Sequence, residues 1–290
     1  MSTSRLPVAS LPNCYLCGSS AVTLHAASSE YSYIRCQRCG LRRQYPVPDP
    51  DSLNVLYHSE YYQDRGLDRT LDALPRFARE LLADRVARLT RAVGKTGSLL
   101  DVGCGTGVFL EAARRAGWEV RGTETSEDSI AYARTITPAP IFHGELANLD
   151  DGMTYDAVTF WDVLEHLPDP RAELRLARER LRPGGVVGVS LPSVQGLKAR
   201  LQGDGWRYYA PSMGHISHFT PKTLSLLLAQ AGFTVLEVRT HGAANLWKFL
   251  GEDPLSVRES RPALHRIQQL ADHGAGALRL GETMTALARR

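Results

Sequence analysis

With 290 residues, 43% of them hydrophobic and 22% charged, the chain is long enough to bury a substantial core and has an ordinary globular composition. Its formal net charge of +3 is too small to mark a nucleic-acid or membrane-surface binder, and no apolar run approaches the roughly 18 residues of a membrane span. The stretch before Cys14 holds no continuous apolar region of the secretory kind, so the expected compartment is cytoplasmic.

Four of the five cysteines fall in two pairs, Cys14-x2-Cys17 and Cys36-x2-Cys39, with 18 residues between them. That spacing lies in the window for a zinc site, and each pair is followed by a glycine (Gly18, Gly40) that lets the backbone turn tightly under two thiolates. The residues between the pairs, 22–26 and 31–35, read as a hairpin, so residues 1–45 are expected to form a zinc ribbon. Four thiolates leave no open position on the ion, which makes the site structural rather than catalytic. The competing readings are a redox CxxC pair or plain buried cysteines. Residues 46–95 form a proline-stiffened linker and a bridging helix. In that helix Leu74, Ala78, Leu81, Leu82, Val86, Leu89 and Val93 recur at helical spacing. Arg76, Arg79, Arg85, Arg88 and Arg91, interleaved with Glu80 and Asp84, are read as its solvated face. Tyr61 and Tyr62, just before it, can either cap a ligand pocket or pack.

From residue 98 strand and helix signals alternate, the pattern of a parallel sheet covered by helices on both sides. Strands are expected at 98–102, 118–122, 141–142, 156–160, 186–191 and 233–238, with a last one at 281–288 antiparallel to its neighbour. Helices are expected at 106–116, 126–134, 170–181 and 221–231. Ser126, Asp169 and Thr220 stand at their N-caps, Pro170 and Pro221 in their first turns, and Gly117 and Gly232 at two of their ends. Ligands of such sheets bind beyond the carboxyl ends of the strands. Gly103–Gly107, Glu124, Glu145 and Trp161–Asp162 all follow such ends.

The turn after the first strand, Asp101-Val-Gly103-Cys104-Gly105-Thr-Gly107, is paced by glycines that let backbone approach a ligand closely. A dinucleotide fingerprint would need glycine at 108, where the chain has Val. The spacing instead resembles the first motif of the class I S-adenosylmethionine-dependent methyltransferases. Glu124, 17 residues after Gly107, matches that family's ribose acid, a planar carboxylate suited to a diol. Gly144-Glu145, the run 160–167 (FWDVLEHL) and Leu181-Arg-Pro-Gly-Gly185 match its later motifs.

The resemblance implies a Rossmann-like α/β fold over residues 96–290, a mostly parallel seven-stranded sheet in the order 3-2-1-4-5-7-6. It implies S-adenosylmethionine as cofactor, held by Asp101, Gly103, Cys104, Gly105, Gly107, Glu124, Thr125, Glu145, Leu146, Trp161 and Asp162, with Tyr62 as a cap. Cys104 is also read as merely a small residue of the loop, and Glu165 as structural.

The run 202–219 is rich in aromatics and imidazoles, and such loops carry specificity. Its end, in the run His215-Ile-x-x-Phe219-Thr-Pro-x-Thr-Leu, resembles the ubiquinone, natural-product and sugar methyltransferase subgroup. Residues 241–279 read as a helical insertion. The expected activity is methyl transfer to a small-molecule acceptor, at oxygen on a natural-product or sugar-like compound. His215, His218 and His166, in that order, are the candidate bases. The alternatives are an RNA base methyltransferase that reads through its ribbon, against which the mild charge argues, and a non-catalytic module that keeps the fold.

Overall fold

The computed structural model describes residues 11–27, 32–48, 70–74, 76–210, 213–242, 274, 278 and 280–290. Tyr61, Tyr62 and nearly all of the expected insertion at 241–279 lie outside the described residues.

The chain opens on a three-stranded meander: β1 (Val22–Ala27), β2 (Ser32–Cys36) and β3 (Arg42–Tyr45), all antiparallel neighbours. The hairpin read between the cysteine pairs is β1–β2. A long helix, α1 (Arg76–Val93), then leads into the main sheet.

That sheet contains β4 (Ser98–Val102), β5 (Glu119–Glu124), β6 (Ile141–His143), β7 (Tyr155–Trp161), β8 (Leu181–Pro192), β10 (Thr234–His241) and β11 (Thr283–Arg289). The short β9 (Ser217–His218) belongs to the other sheet. Read across, the strands run β6-β5-β4-β7-β8-β11-β10, and β11 is antiparallel to both of its neighbours. Counted within the sheet this is the order 3-2-1-4-5-7-6. The helices between the strands are α2 (Val108–Arg115), α3 (Glu127–Ile136), α4 (Pro170–Arg180), α5 (Leu197–Gln202) and α6 (Pro221–Gln230).

The helix starts follow from their caps. Ser126 Oγ accepts from the amide of Ser129 at 3.3 Å, and Asp169 Oδ1 from that of Ala172 at 2.9 Å. Thr220 and Thr223 exchange bonds in a capping box. Helix α2 starts two residues later than expected, because Gly107 (φ +74°) serves as its left-handed N-cap and keeps Thr106 in the turn. β8 is longer than expected: it begins at Leu181 directly after α4 and changes register on β7 between Tyr155 and Ala157.

The central strands are buried on both faces, and their alternation sorts side chains into two cores. Leu99, Ala157, Trp161 and Val186 pack with Val86, Leu89, Phe109 and Leu110 beneath α1 and α2. Leu100, Val102, Val158, Phe160, Val187 and Val189 pack on the opposite side with Leu174 of α4 and Leu224, Leu227 and Leu228 of α6. This second core runs without a break into the ribbon through Leu16, Val22, Ile34 and Leu41.

The arginines of α1 are not all solvated. Arg88 is buried and donates from Nε to Glu237 Oε1 at 3.0 Å, and Arg85 turns inward to the carboxyl ends of β7 and β8. Both follow from position. Each lies beside the apolar stripe Leu82, Val86, Leu89, so its stem packs while its guanidinium reaches a carboxylate or hydroxyl.

Candidate functional site

At the end of β4 the chain turns through Gly103, Gly105 and Gly107, with φ of +66°, +51° and +74°. A Cβ on Gly103 would lie 2.9 Å from a methyl of Val163, and one on Gly107 3.0 Å from the Cβ of Ala133. Conformation and space thus both demand glycine at these two positions. Glu124, at the end of the adjacent β5, clasps the turn. Its Oε2 accepts from the Gly105 amide at 2.8 Å, and its Oε1 from the amides of Thr125 at 2.8 Å and Ser126 at 3.0 Å. These three bonds hold a buried carboxylate rigidly between the turn and the start of α3.

Asp101 sits deeper. It is buried, its Oδ1 accepts from the Thr159 hydroxyl at 2.6 Å, and burial pushes its carboxyl up to about 7. The turn amide of Gly105 is taken by Glu124 and not by Asp101. Cys104 packs its thiol inward, where a Cβ on Gly122 would meet it at 2.7 Å, and Leu146 is likewise buried in the core. Thr125 and Glu145 are exposed beyond β5 and β6, and Gly144 donates to the Glu124 carbonyl at 2.8 Å.

Asp162 is the one non-glycine residue with positive φ (60°) among the described residues, a conformation that aspartate tolerates. Ser190 Oγ donates to its Oδ1 at 3.2 Å, and Arg85 Nη2 lies 3.5 Å from its Oδ2. The same Nη2 donates to Ser190 Oγ at 2.8 Å, and the guanidinium lies 4.6 Å from the ring centre of Trp161. Trp161 in turn meets Phe109 edge to face at 5.0 Å. Arg85 was missed from sequence because it stands in an arginine-rich helix. The available signal was its place beside the apolar stripe.

Three histidines converge next to this end of the sheet. The turn Leu164–His166 carries Glu165 and His166, and the loop before β9 carries His215. One donor atom from each of Glu165, His166 and His215 falls within 4.8 Å of the others. The His166 and His215 rings meet edge to face at 4.5 Å, and Tyr208 stacks on His215 at 5.1 Å. His166 Nδ1 lies 3.1 Å from the Gly214 carbonyl, which can only accept, so Nδ1 carries a proton. Glu165 is buried, and neither carboxylate oxygen has a hydrogen-bond partner among the described residues. Burial, with Asp162 nearby, raises its carboxyl well above the usual range.

His218 lies among Tyr33, Trp206 and Tyr209, with ring centres 4.8, 5.7 and 4.6 Å away. Burial, and then the positive charge of Arg42, depress its imidazole from 6.5 to about 3. The native state therefore keeps it neutral where an unfolded chain takes a proton. Its contribution to stability is complete above about pH 6.5 and is lost as the pH falls toward 3. Urea unfolding of wild type between pH 7 and 5 should show about 2 kcal/mol more loss of stability than His218→Phe. Equal losses would show that the ring is not held neutral.

The four remaining cysteines form a second centre. Cys14 and Cys39 Sγ lie 3.6 Å apart, as do Cys17 and Cys36 Sγ, too far for disulfides. All four thiol sulfurs fall within 4.8 Å of one another. A tetrahedral ion with Zn–S bonds of about 2.3 Å has sulfur–sulfur edges of about 3.8 Å, so the donor set fits zinc. Gly18 and Gly40, at φ +69° and +87°, close the two knuckles by donating to the carbonyls of Cys14 and Cys36.

A sheet of this order, with a glycine turn after its first strand clasped by an acid from its second, defines the class I methyltransferase fold. The family model described as a methyltransferase domain matches residues 74–238, more than half of the chain, and the chain belongs to that family.

Among its relatives is a ubiquinone biosynthesis O-methyltransferase of Hydrogenovibrio crunogenus, 35% identical over 100 residues, which cover 32% of this chain and 42% of the relative. Another protein of that name, from Psychrobacter arcticus, is 29% identical over 167 residues, covering 50% of this chain and 62% of the relative. The chain thus spans less than two thirds of the length of these curated relatives. A crystal structure of an S-adenosylmethionine-dependent methyltransferase from Archaeoglobus fulgidus aligns with a TM-score of 0.51 at 22% identity, covering 73% of this chain and 94% of that one. It shares the fold. No helix among the described residues is long and apolar enough to cross a membrane.

Proposed function

We propose that the protein transfers a methyl group from S-adenosylmethionine to a small-molecule acceptor, at oxygen on a natural-product or sugar-like compound. The observation that carries this reading is the Glu124 carboxylate fixed across the glycine turn at the carboxyl end of β5, with the histidine cluster beyond the carboxyl end of β7 in the same sheet. Glu124 would take the ribose hydroxyls. Gly103, Gly105 and Gly107 would give the cofactor close access to backbone, and Asp162, held by Ser190 and Arg85, would face its methionine portion. The cofactor supplies a methyl group already activated on a sulfonium.

What this chain adds is placement, exclusion of water and a route for the acceptor proton. Such positioning accounts for on the order of 7–11 kcal/mol in well-oriented reactions. Of the candidate bases His215 is favoured, because it shares the Glu165–His166 cluster at the end of β7. His218 is too weak a base for a proton at neutral pH. The relatives' name, an O-methyltransferase of ubiquinone biosynthesis, supports oxygen as the acceptor atom. We also assign structural zinc to Cys14, Cys17, Cys36 and Cys39, supported by the fit of the four sulfurs to a tetrahedral ion.

The test is stoichiometric binding of S-adenosylhomocysteine by calorimetry, followed by transfer of labelled methyl from S-adenosylmethionine to a panel of hydroxylated aromatic and sugar acceptors. Binding followed by label on a hydroxyl is the expected result. Absence of binding to the folded protein overturns the reading.

A further inference from the structure

The ribbon could have been a separate appendage. It is instead built into the acceptor side. β3 pairs with β9, placing Arg42 opposite His218 and Arg43 opposite Ser217, so the fourth strand of the ribbon sheet comes from the histidine loop itself. The Gln44 amide donates to the Ile216 carbonyl at 2.8 Å, and the Ile216 amide donates to the Glu165 carbonyl at 2.8 Å. The loop is therefore held between the ribbon on one side and the Leu164–His166 turn on the other. Tyr33 of β2 completes the grip. Its hydroxyl donates to the His215 carbonyl at 2.8 Å, and its ring packs edge-on against His218 at 4.8 Å. Tyr33 and His215 are 3% and 4% exposed, so no water competes for that bond. On the far side Arg42 bonds the Tyr209 hydroxyl and Arg43 the Pro168 carbonyl.

We propose that the cysteine ribbon is a working wall of the acceptor site and that Tyr33 is its positioning residue, fixing the backbone of His215 and the ring of His218. The proposal rests on the methyltransferase reading of that site. The ribbon contributes through the loop that it holds, so its loss should disturb the histidines while sparing the cofactor turn on β4 and β5.

The experiment compares full-length wild type, Tyr33→Phe, and wild type stripped of metal by a chelator. It reads amide hydrogen exchange over residues 213–219, NMR of ring-labelled histidines, zinc content and S-adenosylhomocysteine binding. In Tyr33→Phe, exchange at His215 and Ile216 should rise at least tenfold and the His215 and His218 ring signals should move. Zinc should stay at one per chain and S-adenosylhomocysteine affinity within about threefold of wild type. Metal removal should give the same changes, larger. Unchanged exchange and ring signals in both samples would overturn the proposal. So would a loss of S-adenosylhomocysteine binding in step with the exchange, which would make the ribbon a prop for the whole sheet. Failure of untreated wild type to bind S-adenosylhomocysteine would overturn the methyltransferase reading itself, an outcome visible separately from the exchange data.

Discussion

Glu124→Ala should weaken S-adenosylhomocysteine binding by on the order of a hundredfold while leaving the fold intact. The carboxylate accepts from the amides of Gly105, Thr125 and Ser126, so its removal frees the turn at the point where a ligand would meet it. It would also remove the carboxylate proposed to accept from the ribose hydroxyls. Hydrogen bonds to a charged group contribute about 1.5–3 kcal/mol each, and the loss of one or two of them gives a change of that order. Glu124→Gln retains one acceptor oxygen and should lose less, roughly tenfold. Isothermal calorimetry measures both, with circular dichroism to check the fold. Wild-type affinity in Glu124→Ala would exclude this carboxylate from the cofactor site.

The second large effect concerns the ribbon. Cys36→Ser with Cys39→Ser removes two of the four sulfurs and should reduce zinc, read by elemental analysis, from one per chain to near none. Metal contributes about 10–16 kcal/mol to the folding of small zinc modules. The ribbon's own core (Leu16, Val22, Ile34, Leu41) is too small to replace it. Limited proteolysis should then cut the first 45 residues and leave a resistant fragment that contains residues 98–192. A double variant that keeps its zinc, or resists proteolysis as wild type does, would show that the cysteines do not hold a structural ion.

Much of this architecture is legible along the chain because its signals are local. Hairpin residues lie between two CxxC knuckles. Caps at Ser126, Asp169 and Thr220 mark helix starts, and short β-branched runs mark buried strands. Gly103, Gly107 and Glu124 were equally readable, since a glycine required by φ and space, and an acid at the end of the next strand, are properties of short stretches. The role of Asp101 was not readable. Whether a carboxylate at a strand end grips the turn or bonds across to Thr159 depends on the neighbouring strand. The arginines of α1 look alike in sequence, and only docking on the sheet separates buried Arg88 and the inward-turned Arg85 from exposed Arg79 and Arg91.

The sequence by itself determined the class of fold, the glycine turn with its acid, and the four-cysteine donor set, because backbone conformation and ligand spacing are encoded within a few residues. Tertiary structure alone decided what those parts do to one another. It brought Glu165 of the β7 end beside His215, 50 residues later, and buried His218 among aromatics from the ribbon and from the loop before β9. It also closed the ribbon sheet with a strand from the histidine loop. Pairing, burial and the proton affinity they set depend on which surfaces meet when the chain packs, and no spacing along the chain specifies that.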